Sequence, residues 1–416
     1  MKERNVMKRK YYLTISFIAA FLVAAATSGA AVHFQCPGYV QPLAGSGDLN
    51  GDGFIRADQG EIAAPVSPNE VCVHLAAGDG FATMADGLVL YIFSFSNITG
   101  VPDDMGMDAG MLGANWSAPP IVINEGDQFY LTVTNVGMLM RPDLFDPHSV
   151  HFHGFPQAAP IFDGMPDSTI TINMGASQPY YYNIVHPGTY FYHCHVEATE
   201  HMEMGMIGIL YVRPAQDGTI INFGGRDYSK FAYNDVDGST GYNVDYPIEV
   251  GGFDSAFHRQ HIDIQPLPFA ELADDYAMIN GRGYPDTIDP NPLPAPAENG
   301  GKISQRVSSR IEATVGQRIL LRISSVSVSE FYTIGVMGLP MQVVGKDARL
   351  LRGPTGTPLY YNTSSITLGG GETADVIVDT LGAAPGTYPL YTTNLNFLSN
   401  HNEDFGGAMT EIIITP

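Results

Sequence analysis

From about Glu70 to the C-terminus the chain is a succession of short strand-like runs separated by Gly, Pro, Asn and Asp. GLVLYIFSF, PIVINEGDQFYLTVTNV, STITINM, QPYYYNIV, GTYFYHCHV and MIGILYV are examples. Gly contributes 46 and Pro 29 of the 416 residues. No stretch carries the 3.6-residue apolar repeat of a long amphipathic helix. The pattern predicts an all-β protein built of Greek-key sandwiches or barrels. It also repeats. INEGDQFYLTVTNV has a counterpart in ATVGQRILLRISSV, and GTYFYHCHVEATEHMEMGMIGILYV one in GTYPLYTTNLNFLSNHNEDFGGAMTEIII. The expected layout is one β domain over 71–214, a polar, Gly-rich linker over 215–250 and a second copy over 251–416. YPDTIDPNPLPAPAENGG is a Pro-rich loop that no strand accommodates.

Before the first domain lie two unlike segments. Residues 1–31 combine a basic start, an apolar middle and a small-residue end, the pattern of a secretory signal peptide. Its removal takes away five basic residues and one acidic one, moving the net charge from −23 to about −27. Export to a periplasm, cell surface or medium is expected, with no membrane span after cleavage. In such an oxidising setting Cys36 and Cys72 can pair. Residues 32–70 form an acidic, Gly/Asp-rich extension. In it Asp48, Asn50 and Asp52 alternate ahead of Gly53, like the first half of a calcium loop. The twelfth position of that loop, where a bidentate acid belongs, is Gln59. The alternative is an Asx-rich turn. Excess negative charge excludes nucleic acid as a partner and suits cationic donors or a basic redox protein.

Seven of the twelve His fall between His148 and His201. In an extended segment His151 and His153 share one face, as do His193 and His195, while Cys194 points the other way. Two strands therefore offer imidazoles to one site and a thiolate to another. On the thiolate's side His148, His201 and Met206 are available. Two imidazoles, a thiolate and a weak thioether form the donor set of blue copper, whereas structural zinc more often takes several Cys.

HSVHFHG and HCHVEATEHMEMGM resemble the paired copper signatures of multicopper oxidases, and the two-domain layout also resembles copper nitrite reductases. The resemblance implies two cupredoxin-like Greek-key β-sandwiches, with copper chemistry confined to the first. Position by position, His148, Cys194, His201 and Met206 match type 1 (blue) copper ligands. His151 matches a type 2 ligand, and His153, His193 and His195 match type 3 ligands. His193 and His195, flanking Cys194, would carry electrons between the sites. Two features depart from the pattern. The Cys194-to-His201 interval is two residues longer than usual, and no HxH pair exists in the second half to complete a set of eight His.

Three functions stay open on that basis. The first is an oxidase that takes single electrons from a small reductant or metal ion and passes them to oxygen. Its missing ligands would come from His258, His261 and His401 or from another chain. The second is a trimeric, nitrite reductase-like enzyme. The third is a blue-copper electron carrier. Met105, Met107, Met111, Met138, Met140, Met202 and Met204, with Glu197, Glu200 and Glu203, could serve a metal-ion substrate; filling irregular core space is the preferred role for the Met. Hydrolase, P-loop and dinucleotide motifs are absent from the sequence.

Overall fold

A computed structural model describes residues 34–37, 47–48, 50–59, 61–62, 67, 69–155, 158–263 and 266–416. The expected signal peptide lies outside the described residues. Nine strands build the first sandwich: β1 Ile55–Arg56, β2 Glu70–Thr83, β3 Val89–Asn97, β4 Ile121–Asn124, β5 Gln128–Gly137, β6 His151–Phe152, β7 Ser177–Asn183, β8 Gly188–His193 and β9 Ile207–Arg213. One sheet has the order β3-β2-β5-β7 and the other β1-β4-β9-β8-β6. Cys36 and Cys72 form a disulfide, tying the start of the described chain to β2.

Period-two alternation in β8 decides where the chemistry sits. Tyr190 and Tyr192 turn into the core of the first sandwich, and Cys194, two residues further, joins the same cluster. Phe191 turns the other way, into a second cluster shared with Trp116, Phe253, Met278 and Val326. His193, in phase with Phe191, is thereby carried to that opposite face. In β6 and its continuation Val150 and Phe152 are core residues, which puts His151 and His153 on the outer face. β6 pairs with β8 in antiparallel register, His151 opposite His193.

The second half repeats the architecture. One sheet runs through 276–279, 244–253, 318–325, 373–379, 341–346 and 349–350, and the other through 311–314, 409–415, 386–392, 332–336 and 365–368. The end of the expected linker is not a connector: Val244–Phe253 is a ten-residue strand pairing with Arg318–Ser325. Its Asp245, Pro247, Glu249 and paired Gly look like loop chemistry in sequence. The fold buries that polarity instead. Arg322 is fully buried, 3.1 Å from Asp245 and 3.7 Å from Asp375.

Arg322 also reaches across to the first sandwich, over the Tyr211 ring at 4.6 Å, while Thr189 donates to Asp375 at 2.6 Å. Trp116 stacks on Phe253 with centroids 4.4 Å apart. A paired buried charge and interlocked aromatics hold the two sandwiches in one arrangement.

Candidate metal centre

Cys194, His148 and His201 come together as a buried triad whose Sγ and ring nitrogens all lie within 4.8 Å of one another. His148 is fixed by reciprocal backbone bonds with Ile172 (3.0 and 2.8 Å). The Cys194 amide donates to the Met206 carbonyl, and the Met206 amide to the His201 carbonyl. These bonds close the long loop, and the helix Ala198–Glu203 occupies its middle. The two extra residues are thus taken up without separating the donors. His201 Nδ1 stands 3.1 Å from Sγ and His148 Nδ1 3.9 Å. Met206 is fully buried in the same core as Cys194.

Electrostatics prepares the thiolate. Burial by itself raises the Cys194 thiol, but the His201 charge and bonds from His148 and His201 bring it down to about 6. His201 is held well above its ordinary value: burial lowers it, and Cys194 and Asp146 more than reverse that. Asp146 lies 3.1 Å from His201 Nε2. A soft thiolate and two imidazoles whose Nδ1 atoms converge on it form a donor set that suits copper.

On the opposite face His151, His153 and His193 form a second triad, again within 4.8 Å. His153 Nε2 and His193 Nε2 are 3.1 Å apart. Each outer ring nitrogen is oriented by the backbone: His151 Nδ1 lies 2.5 Å from the Asp163 carbonyl and His193 Nδ1 2.7 Å from the Cys194 carbonyl. Such contacts aim the free nitrogens inward. Burial, aided by the other His, lowers His193 to about 3, leaving it neutral and able to ligate. His195 stands beside this group, its ring 5.2 Å from that of His151 and 5.5 Å from that of His193. The geometry therefore groups His151 with His153 and His193, and leaves His195 adjacent. His153 is exposed and His195 half-buried.

Comparison with known proteins bears on what this pair of donor sets is. Family models described as "Multicopper oxidase" match residues 101–217 and 255–415. The chain belongs to the multicopper oxidase family. It is 25% identical to Laccase-1 of Cryptococcus neoformans over 297 residues, 70% of this chain and 41% of that one. To Multicopper oxidase MCE of Talaromyces pinophilus it is 32% identical over 120 residues, 28% of this chain and 18% of the other. It thus spans less than half the length of these curated relatives. Its fold is similar to the blue copper oxidase of Nitrosomonas europaea (TM-score 0.59, 23% identity, 82% of this chain and 85% of that one). A copper nitrite reductase from the same organism aligns with TM-score 0.53 at 15% identity, over 82% of this chain and 93% of the other. The two-sandwich cupredoxin-like fold expected from the sequence is the one observed.

In this multicopper oxidase the fold gives His258, His261 and His401, the expected source of further ligands, other partners. His261 Nε2 donates to Glu200 Oε1 at 2.5 Å, and His258 is wedged between the carbonyls of Tyr91 and Glu203. His401 pairs with Asp275 at 2.9 Å. Glu200 and Glu203, read with Glu197 as a carboxylate group beside the copper loop, are buried under the helix Ser255–Asp263; Glu197 alone of the three is exposed. Of the Met, 138, 204 and 206 are core, 107 and 111 pack in a small side cluster, and 105 and 140 are exposed. Asp146 and Asp163 escaped the sequence reading. Asp146 lies two residues before His148, Asp163 ten after His153, and contact with the rings depends on loop folding.

Proposed function

We propose that the protein is an exported copper oxidoreductase that takes single electrons from a small reductant or metal ion at the Cys194 site, with oxygen as acceptor. His148, Cys194, His201 and Met206 would hold a type 1 copper, and His151, His153 and His193, with His195 beside them, the copper that meets the acceptor. Copper supplies a one-electron couple at each place. The observation that carries the reading is the bonded route between the sets: Cys194 faces one, and its neighbour His193, tied to the Cys194 carbonyl, belongs to the other.

On the donor side, Asp146, Glu197 and His201 offer ligand atoms within 4.8 Å of one another. Glu197 and Phe269 line an open hollow of about 550 Å³ above them. Two carboxylates beside the outer edge of His201 favour a cationic donor such as an oxidisable metal ion, and the same negative surface suits a basic redox protein. The Cys36–Cys72 disulfide supports export. Among the described residues no helix is long and apolar enough to cross a membrane.

One observation favours a second reading. Three imidazoles close on a single point, and among the described residues no second-half His of the same chain joins them. That arrangement suits one mononuclear copper facing a partner copy, as in a trimeric nitrite reductase-like enzyme. Copper per chain, visible and EPR spectra, oxygen uptake and nitrite turnover test both. An intense thiolate band with oxygen uptake supports the oxidase. Two coppers per chain in a trimer with nitrite turnover supports the alternative. One copper per chain without turnover leaves an electron carrier, and a colourless copper-loaded protein removes all three.

A further inference from the structure

Two of the three imidazoles in the second donor set are aimed by hydrogen bonds from within the first sandwich, His151 by the Asp163 carbonyl and His193 by the Cys194 carbonyl. His153 is held differently. Its amide donates to the Phe191 carbonyl at 2.8 Å, which fixes the backbone, while its side chain stands exposed between two walls. One wall is the Phe191 ring, its centroid 4.9 Å away. The other is Gly371 of the second sandwich, which shares with His153, Phe191 and Asp347 a hollow of about 100 Å³.

The fit against Gly371 is close. A Cβ there would stand 2.8 Å from His153 Cε1 and 3.0 Å from Nδ1, so either the ring or the turn would have to shift. The turn is firmly tied. The Gly371 amide donates to the Ser325 carbonyl at 2.9 Å, the Ser325 amide to the Glu372 carbonyl at 3.0 Å, and the Gly369 amide to Glu372 Oε2 at 2.7 Å. Two residues on, Thr373 Oγ1 donates to the Thr189 carbonyl at 3.0 Å and Thr189 Oγ1 to buried Asp375 at 2.6 Å. These bonds pin the strand Thr373–Asp379 to β8, the strand that ends in His193. The exposed ring, with a hollow beside it, is therefore the part that yields.

We infer that Gly371 positions His153: its bare α-carbon leaves the space in which the ring stands with Nε2 3.1 Å from His193 Nε2. Gly371 ligates nothing. It acts through His153, so the second sandwich sets the geometry of a donor set to which, among the described residues, it adds no imidazole. The consequence for metal rests on the copper reading proposed above. A residue that orients a metal ligand is worth about 10–100-fold in affinity, and Gly371 should fall in that range.

The test reads ring position and metal affinity separately, both on the full chain. Crystal structures of metal-free wild type and Gly371→Ala should show His153 Nε2 moved beyond hydrogen-bond distance of His193 Nε2 in the variant. Copper(II) titration followed by EPR is done in a Cys194→Ser background, which leaves the three imidazoles as the copper site. Gly371→Ala should weaken that binding about tenfold or more. Gly382→Ala is the control, because φ at Gly371 is +81° and at Gly382 +83°, yet a Cβ at Gly382 meets nothing within 4 Å. It carries the same backbone strain without the contact and should bind as the background does. An unmoved ring, an unchanged affinity or an equal loss in Gly382→Ala overturns the inference. If the Cys194→Ser chain takes up no copper at the three imidazoles, the copper reading fails and ring position alone decides. If Gly371→Ala does not fold, Gly371→Asn adds the same Cβ with a residue that tolerates the left-handed backbone, and the same readouts decide.

Discussion

Replacing Asp146 by Asn removes one charge and little else, at a point where the structure makes that charge matter. The carboxylate is 3.1 Å from His201 Nε2, with side-chain exposures of 10% and 0%. Two unit charges at that distance attract by about 5 kcal/mol at an effective dielectric constant of about 20. Desolvation of both groups offsets part of this, and breaking a buried pair costs about 3–5 kcal/mol. Asn keeps an acceptor for Nε2–H, so the cost for the copper-free protein at neutral pH should lie near the lower end, about 3 kcal/mol. The pH dependence follows from the direction of the Asp146 shift. Burial raises the group, but His201, with smaller effects from His148 and His261, brings it below its ordinary 3.8. A depressed carboxyl stabilises the fold above its unfolded value and loses that contribution as pH falls through the folded one. Urea unfolding of copper-free wild type and Asp146→Asn should therefore differ by the full amount at neutral pH and converge in the acid range below pH ~4. In the copper-loaded protein the same carboxylate favours the oxidised centre, so its loss should raise the reduction potential by tens of millivolts, about 59 mV per 1.4 kcal/mol. A loss under about 1 kcal/mol at neutral pH, with an unchanged potential, would refute the reasoning.

Glu249 offers a test of opposite sign. Burial pushes its carboxyl from 4.5 up to about 8, with Ser117 opposing only slightly. The folded chain then holds a proton that the unfolded chain has lost, so stability should fall between pH ~4.5 and ~8, by on the order of 5 kcal/mol, and Glu249→Gln should flatten that slope in urea titrations. His261→Ala strips Glu200 of its buried partner and should cost about 3–5 kcal/mol; a shifted visible band in the copper-loaded variant would check that the helix Ala198–Glu203 has moved with it. Cys194→Ser should abolish any blue thiolate band and leave the circular dichroism unchanged, and retained colour would mean another thiolate is responsible. Phe191→Ala removes a ring 4.9 Å from His153 and 5.4 Å from His193; it should cost about 3–5 kcal/mol and weaken metal binding at the three-imidazole group more than at Cys194, as read by copper titration.

Much of the candidate metal-binding face was legible because strand geometry is local. A period of two dictates that Tyr190, Tyr192 and Cys194 share one side and Phe191 and His193 the other, whatever the rest of the chain does. The end of the expected linker, 244–250, belongs to a strand for the converse reason. Asp245 and Glu249 are loop residues by propensity; Arg322, more than seventy residues away, pairs with Asp245 inside the sheet, and Glu249 is buried by the packing of the strand.

Taken alone, the sequence determined the β architecture, its duplication, the two faces of the His/Cys strand and the restriction of thiolate chemistry to the first copy. These follow from alternation, spacing and the one unpaired cysteine. Tertiary structure decided which carboxylates serve which imidazoles and which His remain available. Asp146 meets His201, Glu200 meets His261, and His258 and His401 are committed elsewhere. Spacing fixes direction within a strand, but a partner dozens of residues away is fixed only when two sandwiches pack and burial favours pairing of the polar groups they enclose.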